Sequence, residues 1–173
     1  VTGRAATVQA ICEIHKRFYE LLPEELAWVE NPDTGKKIKV LPGVLRKDDV
    51  RVGQHIGISP GAVPRFLEHF VSTYSKLGKA DSILSAAVAH HRLAWIHPFP
   101  DGNGRVMRLM SHAMFLDTLE TGALWSVARG LARKSKEYKH HLANCDLARG
   151  NSLDGRGSFS EEALVDFTDF SLK

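Results

Sequence analysis

Cysteine is nearly absent: Cys12 and Cys145 stand alone in 173 residues. They form neither a disulfide framework nor a metal-ligand spacing, so a disulfide-stapled secreted scaffold is excluded and a reducing compartment, the cytoplasm, is expected. Cys12, among apolar neighbours, reads as an inert core thiol. No uninterrupted run of about 18 apolar residues occurs, which excludes a membrane-spanning helix of the usual kind and a membrane partner with it. No basic-then-apolar signal opens the chain, and a start at Val1 rather than Met points to a longer parent protein or a processed terminus. Neither sign of charge dominates. A net +3 suits a protein that handles a small anion and is too little to expect nucleic acid as a partner. Internal repeats and low-complexity tracts are also missing, and the length fits one domain over 1–173 with a sizeable core.

Several catalytic signatures are missing as well. Nine histidines invite a metal reading, yet no His-Glu-x-x-His pair exists and the cysteines are remote from His90, His91 and His97. His90 and His91 therefore read as surface or hydrogen-bonded core residues. There is no G-x-x-x-x-G-K-[S/T] loop and no kinase glycine loop with its partner motifs.

What the chain does have is His97-Pro98-Phe99-Pro100-Asp101-Gly102-Asn103-Gly104-Arg105-Val106-Met107-Arg108. His97 offers an imidazole, the group best suited to taking a proton near neutrality. Asp101 is a hard oxygen ligand of the kind Mg²⁺ takes at a phosphate site. Gly102 and Gly104 allow positive φ and close backbone approach, and Asn103 between them tolerates the left-handed region and adds a side-chain amide. Helical text begins at Gly104, so free N–H groups and the positive dipole end face whatever the loop holds. Arg105 and Arg108 share a face, with His112 one turn on, while Val106, Leu109, Met110 and Ala113 form a buried stripe beside it.

Position by position, this segment resembles the pattern H-x-F-x-[D/E]-G-N-G-R-x-x-R of Fic-domain proteins. The resemblance is sharp over 97–108, looser over 43–145 and silent about the ends. It implies an all-α, Fic-like helical bundle with a short β-hairpin flap, made of a core at 43–145 between an N-terminal helix and excursion (1–42) and a helical extension (146–173). It also implies transfer of AMP from ATP, with Mg²⁺ as cofactor, onto a Ser, Thr or Tyr hydroxyl of a target protein. On that pattern His97 is the base, Asp101 holds the metal, Gly102, Asn103 and Gly104 cradle phosphates, Arg105 supports them and Arg108 grips the terminal one. The family's flap holds the target by strand addition, which a sheet edge can do through main-chain hydrogen bonds. Val44, Leu45, Arg46, Val50 and Val52 would supply it. Two alternatives stay open: a helical module that binds nucleotide without turnover, and a Fic enzyme that transfers another phosphate-containing group.

Along the chain, apolar spacing predicts a helix over 5–22 capped by Thr7 and ended by Pro23. The stretch 26–43, with its turn at 31–35, reads as a hairpin or irregular excursion. Alternation at Val50, Val52, Ile56 and Ile58 predicts a hairpin over 45–58. A helix follows from Val63 to Tyr74, and another, capped by Asp81 or Ser82, runs to Ile96, where Pro98 ends it. The motif helix is expected to reach Leu119 and to stop near Thr121-Gly122. Helices over 124–132 and 135–148 come next, the second with Tyr138, Leu142 and Leu147 inside, and a last one starts about Ser160 carrying Leu164, Val165, Phe167 and Phe170. Fic proteins are commonly restrained by a helix bearing [S/T]-x-x-x-E-[G/N]. The nearest run, Ser158 to Ala163, lacks the final residue and reads as a capping box of Ser158 with Glu161. An inhibitory segment is then expected upstream of Val1 or on a partner chain.

Overall fold

In the computed structural model the described residues are 4–30, 35, 37–52, 55–119, 126–155 and 159–173. Among these residues seven α-helices make up the body: α1 (Val8–Glu20), α2 (Val63–Tyr74), α3 (Lys79–Ile96), α4 (Asn103–Thr118), α5 (Val127–Arg133), α6 (Ser135–Asn144) and α7 (Glu161–Leu172). Two small antiparallel hairpins decorate it. β1 (Trp28–Glu30) pairs with β2 (Lys37–Lys39), and β3 (Arg51–Val52) pairs with β4 (His55–Ile56). The all-helical expectation with a short hairpin therefore holds.

The centre is α3 lying against α4, the most extensive contact between elements among the described residues. Ala86, Ala87 and Ala89 keep α3 slim, so its neighbours come close on most sides. Leu67 and Phe70 of α2, Leu93 of α3, Met110 and Met114 of α4 and Phe167 of α7 meet in one core. Each such side chain, fully buried, contributes about 1.5–3 kcal/mol. Phe99, from the loop between α3 and α4, is also fully buried, which ties the motif to the core rather than to the surface.

Local signals explain several boundaries. Thr7 caps α1 by accepting from Ala10 N at 3.2 Å, and α1 frays before Pro23. The 45–58 hairpin is shorter than its alternation suggests: among the described residues the paired strands are 51–52 and 55–56, with one further bond from Gly57 N to Val50 O at 3.0 Å. The cap of α3 falls neither on Asp81 nor on Ser82: the helix starts at Lys79 behind Gly78, which puts Asp81 in the first turn, where its charge meets the dipole. The buried stripe of α4 is Val106, Met107, Met110 and Met114, while Leu109 is 40% exposed and Ala113 only half-buried. α4 ends at Thr118, whose hydroxyl turns back to the Met114 carbonyl at 2.8 Å. The stop expected at Thr121-Gly122 lies outside the described residues.

α6 ends at Asn144, four residues early, which leaves Leu147 exposed rather than inside. Val165 of α7 is exposed too. Ser160 caps that helix by accepting from Ala163 N at 3.1 Å, assisted by the Asp154 carboxylate, which takes the Glu161 and Glu162 amides. The cap thus sits two residues after the Ser158 expected, and Ser158 itself lies outside the described residues. His90 and His91 are core histidines. Among the described residues no helix is long and apolar enough to cross a membrane.

Candidate active site

His97 is the residue after α3, and it leaves the helix in the left-handed region (φ 51°, ψ 61°), the sole non-glycine to do so among the described residues. Such a conformation costs about 1–3 kcal/mol and persists only where neighbours fix it. They do. The His97 amide closes the last helical turn on Leu93 O at 3.0 Å, and its carbonyl accepts from Arg46 Nε at 2.7 Å. The ring is oriented by a 3.1 Å bond from Nδ1–H to the Ala94 carbonyl, which leaves Nε2 as the lone pair. Burial lowers the pKa to about 4, so the imidazole is neutral at physiological pH.

From His97 the chain folds into a loop closed by its own side chains. Asn103 Oδ1 accepts from Phe99 N at 2.9 Å, and its Nδ2 donates to Phe99 O at 2.8 Å. The side-chain amide is thereby committed within the protein, and Asn103 as a whole is buried. Gly102 has φ 82°, and a Cβ there would stand 2.7 Å from the Tyr19 ring, so glycine is required twice over. A Cβ on Gly104 would stand 3.3 Å from Arg108 Nη1. α4 begins at Asn103; the Arg105 and Val106 amides close on the Gly102 carbonyl at 3.0 Å, which leaves the Asn103 and Gly104 amides as the helix's open donors.

α1 supports one side of this loop. Tyr19 O–H donates to Asp101 Oδ2 at 2.6 Å, and Arg105 Nη2 reaches the same oxygen at 3.1 Å while its guanidinium lies 4.8 Å over the Phe18 ring. Burial alone would raise the Asp101 pKa, but the Tyr19 hydroxyl, the Gly102 amide and Arg105 outweigh it and hold the carboxyl below its usual value. His15, fully buried, stacks on Phe99 at 3.9 Å. Its Nδ1 accepts from Gly43 N at 2.8 Å, so Nε2 carries the hydrogen and donates to the Asp101 carbonyl at 3.2 Å. Burial pulls its pKa to about 4. Sequence reasoning missed His15 and Tyr19 as site residues. The one available signal was two polar rings on the i, i+4 stripe that starts at Ile11.

Arg105, not Arg108, pairs with Asp101, and Arg108 brings its positive charge near the Tyr138 hydroxyl of α6. His112 does not join this group; it faces a separate groove beside Ile83 and Phe115. Asp101 fits a Mg²⁺ ion as such ions are usually held beside phosphate, by one ionised carboxylate, phosphate oxygens and water. Its side chain is 41% exposed, and among the described residues no cluster of three or more His, Cys, Asp or Glu could hold a metal alone.

The hairpin residues are divided. Val44 and Val52 are exposed, Leu45 and Val50 half-buried, and Arg46 is 4% exposed. The Arg46 guanidinium turns inward, to the carbonyls of Ile96, His97, Asp48 and Ile58, and offers nothing to an added strand. A cavity of about 300 Å³ opens between the two hairpins, floored by Val29, Ile38, Val50 and Ile56 and reaching Pro100 of the motif loop.

An imidazole lone pair, a carboxylate, the N-terminus of a long helix and two arginines thus belong to one short, pre-closed stretch of a helical protein. The Fic/DOC family profile matches residues 5–115, more than half of the chain, and the protein belongs to that family. It is 30% identical over 112 residues to the protein adenylyltransferase Fic of Aedes aegypti, a match covering 64% of this chain and 19% of that one. The same-named protein of Drosophila willistoni is 31% identical over 114 residues, covering 64% and 20%. The chain thus spans about a fifth of the length of these curated relatives. A Fic family protein from Desulfovibrio desulfuricans G20 shares the fold, with a TM-score of 0.63 at 19% identity over 98% of this chain and 47% of that one.

Proposed function

We propose that this protein transfers AMP from ATP to a Ser, Thr or Tyr hydroxyl of a target protein and releases pyrophosphate. The observation that carries this reading is His97, whose Nδ1–H is committed to the Ala94 carbonyl so that Nε2 is a base beside the α4 N-terminus.

The target hydroxyl gives its proton to His97 Nε2 as its oxygen bonds to the α-phosphorus. The bond from that phosphorus to the β-bridging oxygen breaks, and pyrophosphate carries away the negative charge. The anionic phosphates beside the imidazole raise its pKa from about 4 toward the range a base needs. The Asn103 and Gly104 amides of α4 and the Arg105 guanidinium stabilise the charge in place, with no reorganisation during reaction. Arg108 holds the terminal phosphate and so sets the nucleotide with its α-phosphorus toward His97. Asp101 would hold Mg²⁺, which when bound neutralises phosphate charge. The exposed edge of β3 and β4, with Val44 and Val52 beside it, takes the target segment as an added strand.

The test is incorporation of labelled AMP into proteins of a lysate, with pyrophosphate release followed in parallel. His97→Ala should lower transfer by roughly 10²–10⁴ while melting stays near wild type. A protein that binds ATP without releasing pyrophosphate, or a folded His97→Ala variant with full activity, would refute the proposal.

A further inference from the structure

Arg108 is the motif arginine that does not pair with Asp101, and its charge lies near one end of a chain of buried polar groups. The Tyr138 hydroxyl lies 2.9 Å from His90 Nε2, His90 Nδ1 lies 2.9 Å from Ser111 Oγ, and Ser111 Oγ donates to the Met107 carbonyl at 2.9 Å. Tyr138, His90 and Ser111 are 7%, 3% and 2% exposed. They come from α6, α3 and α4, and Ser111 stands three residues beyond Arg108 on its own helix.

Hydrogen-bond chemistry fixes the direction of every link. A guanidinium has donors and no acceptor, so toward Arg108 the Tyr138 oxygen can offer only a lone pair, which leaves its hydrogen for another partner. The partner within reach is His90 Nε2, which must then be unprotonated. A neutral imidazole with a bare Nε2 carries its hydrogen on Nδ1 and gives it to Ser111. The serine hydrogen is already committed to the Met107 carbonyl, so its oxygen is free to accept. Burial, with the nearby Arg108 charge, lowers the His90 pKa to about 3, in keeping with the neutral form.

We infer that Tyr138, His90 and Ser111 are positioning residues that aim the Arg108 guanidinium at the terminal phosphate of the nucleotide, and that Tyr138 is the one that touches it. The inference rests on the phosphate role of Arg108 proposed above. A chain anchored to the α4 backbone holds Arg108 in one rotamer before ligand arrives, so less side-chain entropy is lost on binding. It also places the apex of the site under α6, which carries no motif residue.

The experiment is a double-mutant cycle on the intact chain, read by calorimetric binding of ATP and of ADP with Mg²⁺ present, plus a melting curve for each sample. Tyr138→Phe keeps the ring that packs on His90 and Phe167 and removes only the hydroxyl. It should weaken ATP by about tenfold, the effect of one charge-assisted bond, and change ADP by less than about twofold. In an Arg108→Ala background the same substitution should cost ATP nothing more. Ser111→Ala, at the far end of the chain, should shift ATP in the same direction by a smaller factor. Equal losses for ATP and ADP, or an undiminished loss in the Arg108→Ala background, would overturn the positioning role while leaving Arg108 itself in place. If Arg108→Ala binds ATP as wild type does, both the positioning role and the phosphate role of Arg108 fall.

Discussion

Arg46→Ala is the substitution the fold should tolerate least. The side chain is 4% exposed and donates to four carbonyls: Nε to His97 at 2.7 Å, Nη1 to Asp48 at 3.0 Å, and Nη2 to Ile58 and, at 3.4 Å, to Ile96. Two of these are carbonyls at the end of α3, where a positive charge also complements the helix dipole. The others anchor the chain on either side of the β3–β4 hairpin. A hydrogen bond to a charged group contributes about 1.5–3 kcal/mol, and a truncated partner leaves buried acceptors behind. The bonds share one side chain and do not add, so the expected loss is about 4–5 kcal/mol, at the upper end for single substitutions. For a domain of this size each kcal/mol moves the melting temperature by about 2–4 °C, which gives a drop of about 8–20 °C. Transfer activity should fall further than stability, because the left-handed backbone of His97 loses its carbonyl partner. Arg46→Lys should recover less than half, since one ammonium cannot span that fork. Thermal melting of the three proteins decides it: a drop under about 3 °C for Arg46→Ala refutes the clamp.

Other outcomes follow from the titrating groups and the metal ligand. His15, His90 and His97 are held neutral down to about 4, 3 and 4, whereas the unfolded chain protonates them near 6.5. Between those values the unfolded state binds more protons, so their stabilisation is complete above pH 6.5 and is lost as pH falls toward 4. Urea unfolding from pH 7 to pH 4.5 should show that decline, with a slope approaching three protons; a flat profile would contradict the burial argument. The acid limb of kcat/KM for the nucleotide should lie near pH 4, and that of kcat above it, because bound phosphates raise the His97 pKa. A kcat/KM limb at 6.5 would assign proton removal to another group. Asp101→Ala should shift ATP binding to higher Mg²⁺, with partial recovery as Mg²⁺ is raised; an unchanged Mg²⁺ titration would make Asp101 a structural partner of Tyr19 and Arg105 only.

Periodicity and local chemistry made much of the fold legible in advance. The apolar spacing of 63–74, the Thr7 cap and the break before Pro98 each depend on neighbours a turn away, and each lies where the pattern puts it. The Fic resemblance rested on twelve consecutive residues and is matched by the family profile. What stayed hidden depends on distant partners. Leu109 and Leu147 look like core residues in a helical repeat, yet both are exposed. Arg46 looks like a surface charge in a hairpin until α3 supplies carbonyls fifty residues away. His15 and Asp101 are 86 residues apart in sequence, and no spacing rule joins them. Asn103 drew notice for its backbone tolerance, but its side chain spends both of its bonds on Phe99, four residues upstream.

That last clasp bears on how the protein meets its ligand. Because Asn103 ties off both main-chain groups of Phe99, and Phe99 is sealed in the core, the turn is ordered by folding rather than by phosphate. Hydrogen exchange at the Phe99 amide should therefore be as slow in the ligand-free protein as with nucleotide. Association needs no loop rearrangement before it, so its rate is set by diffusion and by the field of the arginines, and it responds to salt more than to viscosity-coupled motions of the chain.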